Sequence, residues 1–306
     1  LDFLNPLYSK EYFEHFVCKA IGEDFTVEDK SFIIIFNGKP FFAFLGCLFI
    51  KKEIKYINCF EIPSLCIESK YLSLSKKKQI QKVFNDLLEI NFEFFSLTGP
   101  SSRFDLPYIC EKFLEDSKTD LIIKPIRIID LRNDISSIKK SLRKSYHSLI
   151  NWGLREMQLY LYDYRNIKWD TILKFRELHI KEAGRNTRSL ETWEKQYESI
   201  ISKKGFCITA FLNNEFVSAA FFLCSDHYCY YGSSVSKRKL FNFPISHALL
   251  WNAILYAKDN GALIFDFGDT YLESLNSNKT EKEKNISYFK KGFGGNLMLT
   301  YEVVKK

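Results

Sequence analysis

The stretch FCITAFLNNEFVSAAFFLCSDHYCYYGSS, Phe206–Ser234, decides the fold. It reads as two apolar runs joined by turn chemistry at Asn213-Asn214 or Asn214-Glu215, followed by a third strand, HYCYYGSS. An earlier stretch has the same build. FIIIFNGKPFFAFLGCLF, Phe32–Phe49, places Asn37, Gly38, Lys39 and Pro40 between two runs expected to be buried strands, and KKEIKYINCF (51–60) is the expected third strand. Two such hairpins about half a chain apart predict a duplicated α/β unit.

The elements after each hairpin agree. SKKKQIQKVFNDLLEIN (Ser75–Asn91) has apolar residues at 80, 83, 84, 87, 88 and 90, one face of a helix, and FEFFSLTGP follows as a strand. PISHALLWNAILYAKDNGA is expected to be a helix opened by Pro244 and closed by Asn260-Gly261, and LIFDFGD follows as a strand. Between the halves, IRIIDLRND and REMQLYLYDY read as strands. ISSIKKSLRKSYHSLINWG reads as one helix stopped by Gly153, and IKWDTILKFRELHIKEAG as a helix ended by Gly184. LETWEKQYESIISKKG is a further helix, with Ser189 as its expected N-cap. The boundary falls near 130, giving domains 1–130 and 131–306. NSNKTEKEKN reads as a mobile loop.

Composition excludes several classes. A chain of 306 residues with 46% hydrophobic and 16% aromatic residues has ample material for a core. Its eight cysteines form no C-x-x-C pair and only five histidines are present, so neither a zinc site nor a disulfide framework is expected, and the thiols read as reduced in a cytoplasm. The run Phe32–Ile50 is long enough to be weighed as a membrane span, but the turn residues in its middle exclude one. The start, LDFLNPLYSKEYFEHF, is amphipathic and acidic, unlike a signal peptide. A net charge of +7 is compatible with a polyanionic partner such as RNA, a nucleotide or an acidic membrane surface.

ISYFKKGFGGNL, Ile286–Leu297, carries the densest chemistry. A short helix from about Thr280 to Lys291 is expected, with Gly292 at positive φ after it and Phe293 folding back toward Tyr288. Read alone, Lys290 and Lys291 oppose the negative end of the helix dipole, or one of them is a fixed cation in a walled site.

Together with SHALLWNAILYAKDNGALIFDFGD and SLRKSYHSLINWG, this segment resembles the C-terminal half of the FemABX-like acyltransferases, double-domain relatives of the GNAT N-acetyltransferases. The resemblance is clearest over residues 136–306. It implies two tandem GNAT-like units, each a mixed twisted sheet flanked by helices, with the chemistry mainly in the second unit, at a cleft against the first. It also implies transfer of an acyl or aminoacyl group onto an amine. By that resemblance Lys290 stabilises the oxyanion formed on the attacked carbonyl, and Phe289 walls it off from water. Asp266 and Asp269, at a strand's C-terminal end, suit proton transfer or a sugar hydroxyl, or cap the following turn. Arg143 and His147, one helical turn apart, with Lys144 adjacent, suit phosphates, or form part of a solvated basic face. Arg185 and Arg188 suit an anionic substrate, or simply line an interhelical turn, and Tyr231 joins the substrate-binding set.

The loop SKRKLFNFPIS lacks the glycines with which GNAT enzymes hold a coenzyme A pyrophosphate. Lys237, Arg238 and Lys239 are the candidates left for donor phosphates, or are exposed turn residues. The implied donor is acyl-CoA or aminoacyl-tRNA, with no tightly bound cofactor and no metal. The implied acceptor is a nucleotide-linked amino sugar or a muropeptide, with tRNA as a further partner. The competing reading is a non-catalytic GNAT-like scaffold that binds RNA or a protein.

Overall fold

The computed structural model describes residues 6, 9–57, 65–68, 72–88, 94–100, 107–115, 117–275 and 279–305. The chain forms two compact units: Leu1–His15 with Pro125–Met298, and Phe16–Lys124 with Leu299–Lys306.

α1 (Lys10–Ile21) is divided between the units after His15, and the second unit continues from it into β1 (Thr26–Asp29). The hairpin β2 (Phe32–Phe36) and β3 (Lys39–Leu45) turns on Asn37 and Gly38, both at positive φ (49° and 73°), as a two-residue turn between twisted strands requires. β4 (Cys47–Lys51), β5 (Ile54–Ile57), β6 (Leu65–Glu68), α2 (Leu74–Leu88), β7 (Phe94–Pro100) and α3 (Tyr108–Leu114) follow. β1, β4, β5 and β7 are neighbours in one sheet, closed by the C-terminal strand β14 (Asn296–Lys305), while β2, β3 and β6 form a separate three-stranded sheet.

The expected third strand at 51–60 therefore pairs with β4 and not with the hairpin, and its last residues, 58–60, lie outside the described residues. The cause is Gly46. Its carbonyl accepts from Lys30 N–H (2.9 Å) and its N–H donates to Ser31 Oγ (3.1 Å), so the run 41–50 breaks into two strands in two sheets. β2 also departs from expectation. It lies at a sheet edge, where Phe32 packs toward Phe84 (5.6 Å between ring centroids) while Ile33 and Ile35 are exposed.

The unit carrying Pro125–Met298 begins with β8 (Thr119–Asp130), α4 (Ile135–Ser141), α5 (Lys144–Glu156), β9 (Met157–Tyr162), α6 (Trp169–Ala183) and α7 (Leu190–Ile201). It continues with β10 (Gly205–Leu212), β11 (Glu215–Cys224), β12 (Tyr228–Ser236), α8 (His247–Asp259), β13 (Ile264–Asp269) and α9 (Glu281–Lys291). Its strands run in the order β8-β13-β12-β11-β10-β9, and the β10–β11 turn is Asn213-Asn214 (φ 50° and 63°). β10 and β11 are continuous apolar runs because both faces are covered. Phe206, Ile208 and Phe222 join one core with α5 and α8, while Cys207, Phe221 and Leu223 join another with α6 and α7. Among the described residues each unit holds a parallel pair, β5 with β7 and β12 with β13, as a duplication predicts.

Two helix readings change. The helix expected over 135–153 is two helices, broken at Leu142-Arg143, and the second runs through Gly153 to Glu156. Gly153 does not stop it. The residue lies where α8 crosses, and an added Cβ would come within 2.6 Å of the Ala248 Cβ. The expected loop NSNKTEKEKN is largely helical from 281 onward. Thr280 and Glu283 close a capping box on α9, and 276–278 lie outside the described residues.

At the other end of α9, Gly292 has a right-handed φ of −65°, and the left-handed residues are Gly294 and Gly295. Glycine is needed at 292 for space. The Tyr146 ring lies against it, and a Cβ there would come within 2.1 Å of the ring. Phe293 turns inward onto Tyr146, Phe267 and Phe289, not back toward Tyr288. Gly292→Ala is expected to cost roughly 1–3 kcal/mol by overpacking. Thermal denaturation would show a lowered Tm; an unchanged Tm would mean that the Tyr146 ring yields freely.

Candidate functional site

The candidate site is built on the carboxyl end of β13. Period-two alternation sends Phe265 and Phe267 into the α5/α8 core and Asp266 to the opposite face. Asp266 is only 1% exposed. Tyr228 Oη donates to Asp266 Oδ2 (2.7 Å) and Gly268 N–H to Oδ1 (2.6 Å). Gly268 takes a φ of 72°, the left-handed value that lets the chain turn back on its own carboxylate. Burial is the largest influence on this carboxyl group and pushes its pKa up to about 6, against the two hydrogen bonds and the nearby Lys290, which favour the ionised form.

Lys290 comes from the last turn of α9. Its Nζ donates to the Asp269 carbonyl oxygen (3.0 Å), and the residue is half-buried. Burial lowers its pKa, while the charges of Asp269 and Asp266 oppose that and hold the proton. The ammonium is thus tethered and partly dry, beside two carboxylates on the strand end. Phe289 goes elsewhere, because consecutive helical residues diverge by about 100°. Its ring packs on His247 (5.1 Å) and Phe293 (5.4 Å), which fixes the helix and so fixes Lys290 indirectly.

The basic candidates separate into used and available groups. Arg143 lies over the Tyr288 ring (3.8 Å) and donates from Nη2 to the Tyr288 carbonyl (2.9 Å), closing the C-terminal end of α9. Lys144 is exposed at the start of α5. Lys237 is buried and its ammonium is spent on Glu215, so it is not placed to grip a donor phosphate; Arg238 is exposed. Tyr231 faces the core, stacked on Phe222, with its hydroxyl satisfied by Ser234 (2.5 Å).

A second constellation occupies the corner between α6 and α7. Gly184, at φ 72°, ends α6, and Ser189 takes the N-cap position of α7 without bonding its amides. Arg185 is exposed. Arg188 turns in, its guanidinium 3.7 Å from the Trp193 ring centroid, and its Nε and Nη2 are buried without a partner in the protein. Trp193 Nε1 and Gln196 Oε1 are buried and unpartnered as well. Burial pushes the Arg188 pKa down to about 9, and burial with Arg188 nearby pushes His179 down to about 4, leaving that imidazole neutral. A buried cation whose side edge has no counter-ion is costly. Nε and Nη2 form the fork that matches a carboxylate or phosphate with two parallel hydrogen bonds.

Trp193, one turn into α7, belongs to the Arg185–Arg188 loop in the sequence as well, whereas Tyr228, Gln196 and His179 carry no signal there. The pairing of Tyr230 with Asp266 across the parallel strands brings HYCYY beside DFGD, and only the sheet register reveals it. Among the described residues, no group of three or more His, Cys, Asp or Glu is placed to hold a metal, and no helix is long and apolar enough to cross a membrane.

No family profile and no curated protein sequence matches the chain. Solved structures do. FemX aligns over 96% of this chain and 90% of its own at 12% identity, with a TM-score of 0.62. L-PGS from Bacillus licheniformis covers 97% and 92% at 13% identity (TM-score 0.61), and a tandem GNAT protein from the clavulanic acid biosynthesis pathway covers 95% and 93% at 9% identity (TM-score 0.54). The fold is therefore the double GNAT fold of the FemABX-like proteins, as the resemblance implied.

Two outcomes follow from the charges. Between about pH 4 and 6 the folded chain holds the Asp266 proton more tightly than the unfolded chain, so this group's contribution to stability falls as pH rises through that window. Asp266→Asn should remove that dependence and raise stability at pH 8 by about 2 kcal/mol in chemical denaturation, and no gain would contradict the buried charge. Arg188→Met should raise the Tm of the ligand-free protein by removing an uncompensated cation. A fall in Tm would mean that the guanidinium has a partner after all.

Proposed function

We propose that this chain is an N-acyltransferase, moving an acyl or aminoacyl group from an ester or thioester donor onto the amine of a nucleotide-linked amino sugar or a similar cell-envelope precursor. The observation that carries this reading is the half-buried Lys290 ammonium, tethered to the Asp269 carbonyl at the strand end.

The chemistry follows from that charge. The neutral acceptor nitrogen attacks the donor carbonyl carbon, and a C–N bond forms as the carbonyl oxygen gains negative charge. An ammonium in a partly dry setting stabilises that oxyanion more than water does. Collapse breaks the C–O or C–S bond, and the proton lost by nitrogen ends on the departing oxygen or sulfur. Lys290 works only while protonated. Asp266, buried and already bonded to Tyr228 and Gly268, acts through Lys290 by keeping its proton in place; it is not exposed enough to take one from the acceptor.

Arg188 supplies the acceptor grip. Its unpartnered fork suits an anionic group, and the phosphates of a nucleotide-linked sugar or the carboxylates of a muropeptide both provide one. The donor is acyl-CoA or aminoacyl-tRNA. Because Lys237 and Lys239 both meet Glu215, the exposed Arg238 is the remaining unpaired side-chain contact for donor phosphates in that loop.

Amide formation from each donor class onto nucleotide-linked amino sugars, followed by mass spectrometry, tests the reading. Lys290→Met should fold with an unchanged Tm and lose about 10² to 10³ in turnover. The wild-type rate should also fall at alkaline pH, earlier than an ordinary lysine would dictate, because burial lowers the pKa of Lys290. Unchanged turnover in Lys290→Met would remove that residue from the mechanism.

A further inference from the structure

The FIIIF strand plays no part in the chemistry above, yet it is among the most unusual surfaces of the molecule. Ile33 and Ile35, two residues apart on one face of the edge strand β2, are 63% and 61% exposed, and Phe36 beside the turn is 40% exposed. Every residue from Ile35 to Pro40 is exposed, so the hairpin tip stands out into solvent. The first turn of α2 lies beside it. Lys76 Nζ is 5.9 Å from the Phe36 ring centroid and 5.2 Å from that of Phe41, and the same turn carries Leu74, 70% exposed. Soluble proteins seldom leave a long apolar edge strand uncovered, because it templates association.

The two segments that build this apolar tip carry charges of one sign, while Glu68, in register with Phe42 on the far side of β3, is an acid in the same sheet. Residues 32–45 and 72–84 contain Lys39, Lys76, Lys77, Lys78 and Lys82 and no Asp or Glu. Among the described residues none of the five lysines is in an ion pair. Lys76 and Lys77 lie over aromatic rings, at Phe36, Phe41 and Tyr108, with their stems along apolar surface.

We infer that the β2–β3 tip and the first turn of α2 form a docking surface for an anionic lipid bilayer. Ile33, Ile35, Phe36 and Leu74 would enter the headgroup–acyl boundary, and the lysines would meet lipid phosphates. The composition of the patch selects this occupant. Nucleic acid is held by stacking on aromatic faces, and three of these four exposed apolar residues are aliphatic. A second copy, in a symmetric dimer, would bring the same lysine-rich segments against each other without an acid to offset them. An apolar tip with a basic rim is what an anionic membrane surface attracts through both its interior and its charge.

The test uses the full chain and sedimentation with vesicles. Vesicles containing phosphatidylglycerol should bind the protein at low salt, vesicles of pure phosphatidylcholine much less, and added salt should weaken the binding. Ile35→Asp should weaken it by about tenfold or more while leaving circular dichroism and Tm unchanged. Leu154→Asp, at an exposed leucine on α5, is the control and should bind as the wild type does. Absence of vesicle binding, or equal binding by Ile35→Asp, would overturn the proposal. So would a dimer in sedimentation equilibrium that Ile35→Asp dissociates, since the surface would then belong to a second copy.

Discussion

One hydrogen bond organises the candidate site: the Lys290 ammonium donating to the Asp269 carbonyl oxygen at the end of β13. That bond joins the last turn of α9 to the strand carrying the buried Asp266. Most of what surrounds it keeps its two ends in place. Gly268 turns the strand end, Gly292 admits the Tyr146 ring, Tyr146 Oη donates to the Phe289 carbonyl (2.9 Å), and Arg143 closes the helix from outside. Several of the basic and aromatic residues near the site therefore act as framework, and the Lys290 ammonium is the group to which we assign the proposed chemistry.

Two cations in this unit are treated in opposite ways. Lys290 is half-buried and balanced by nearby carboxylates, so its charge persists but is not neutralised by contact. Arg188 stacks on Trp193 with the two nitrogens of its fork buried and unpartnered. The first arrangement suits a charge that appears only during a reaction, and the second suits one that arrives with a ligand. Such a division is what an enzyme needs if binding is not to exhaust the group that serves the transition state.

Much of the fold was legible because it rests on periodicity and turn chemistry. The β10–β11–β12 succession, α2, α7, α8 and the DFGD strand follow directly from apolar spacing and from Asn or Gly at turns. The failures have physical causes that lie beyond local sequence. Gly153 reads as a stop, yet it is a crossing point between helices. Gly292 reads as a left-handed cap, yet it makes room for a ring. Gly46 divides what reads as one strand. Lys237 reads as a phosphate ligand until the hairpin brings Glu215 against it. The Tyr228–Asp266 bond and the orphaned fork of Arg188 depend on register and burial, which no single stretch of sequence reveals.

The central claim is that Lys290 is a partly desolvated ammonium kept protonated by the strand end it is tethered to. Titration of this side chain by NMR, with the lysine carbons labelled and Lys290→Met used for assignment, measures that directly. The wild-type protein should give a pKa below the ordinary lysine value, and Asp266→Asn should lower it further by removing an attracting charge. An ordinary lysine titration, unmoved by Asp266→Asn, would show a solvated side chain and contradict the account.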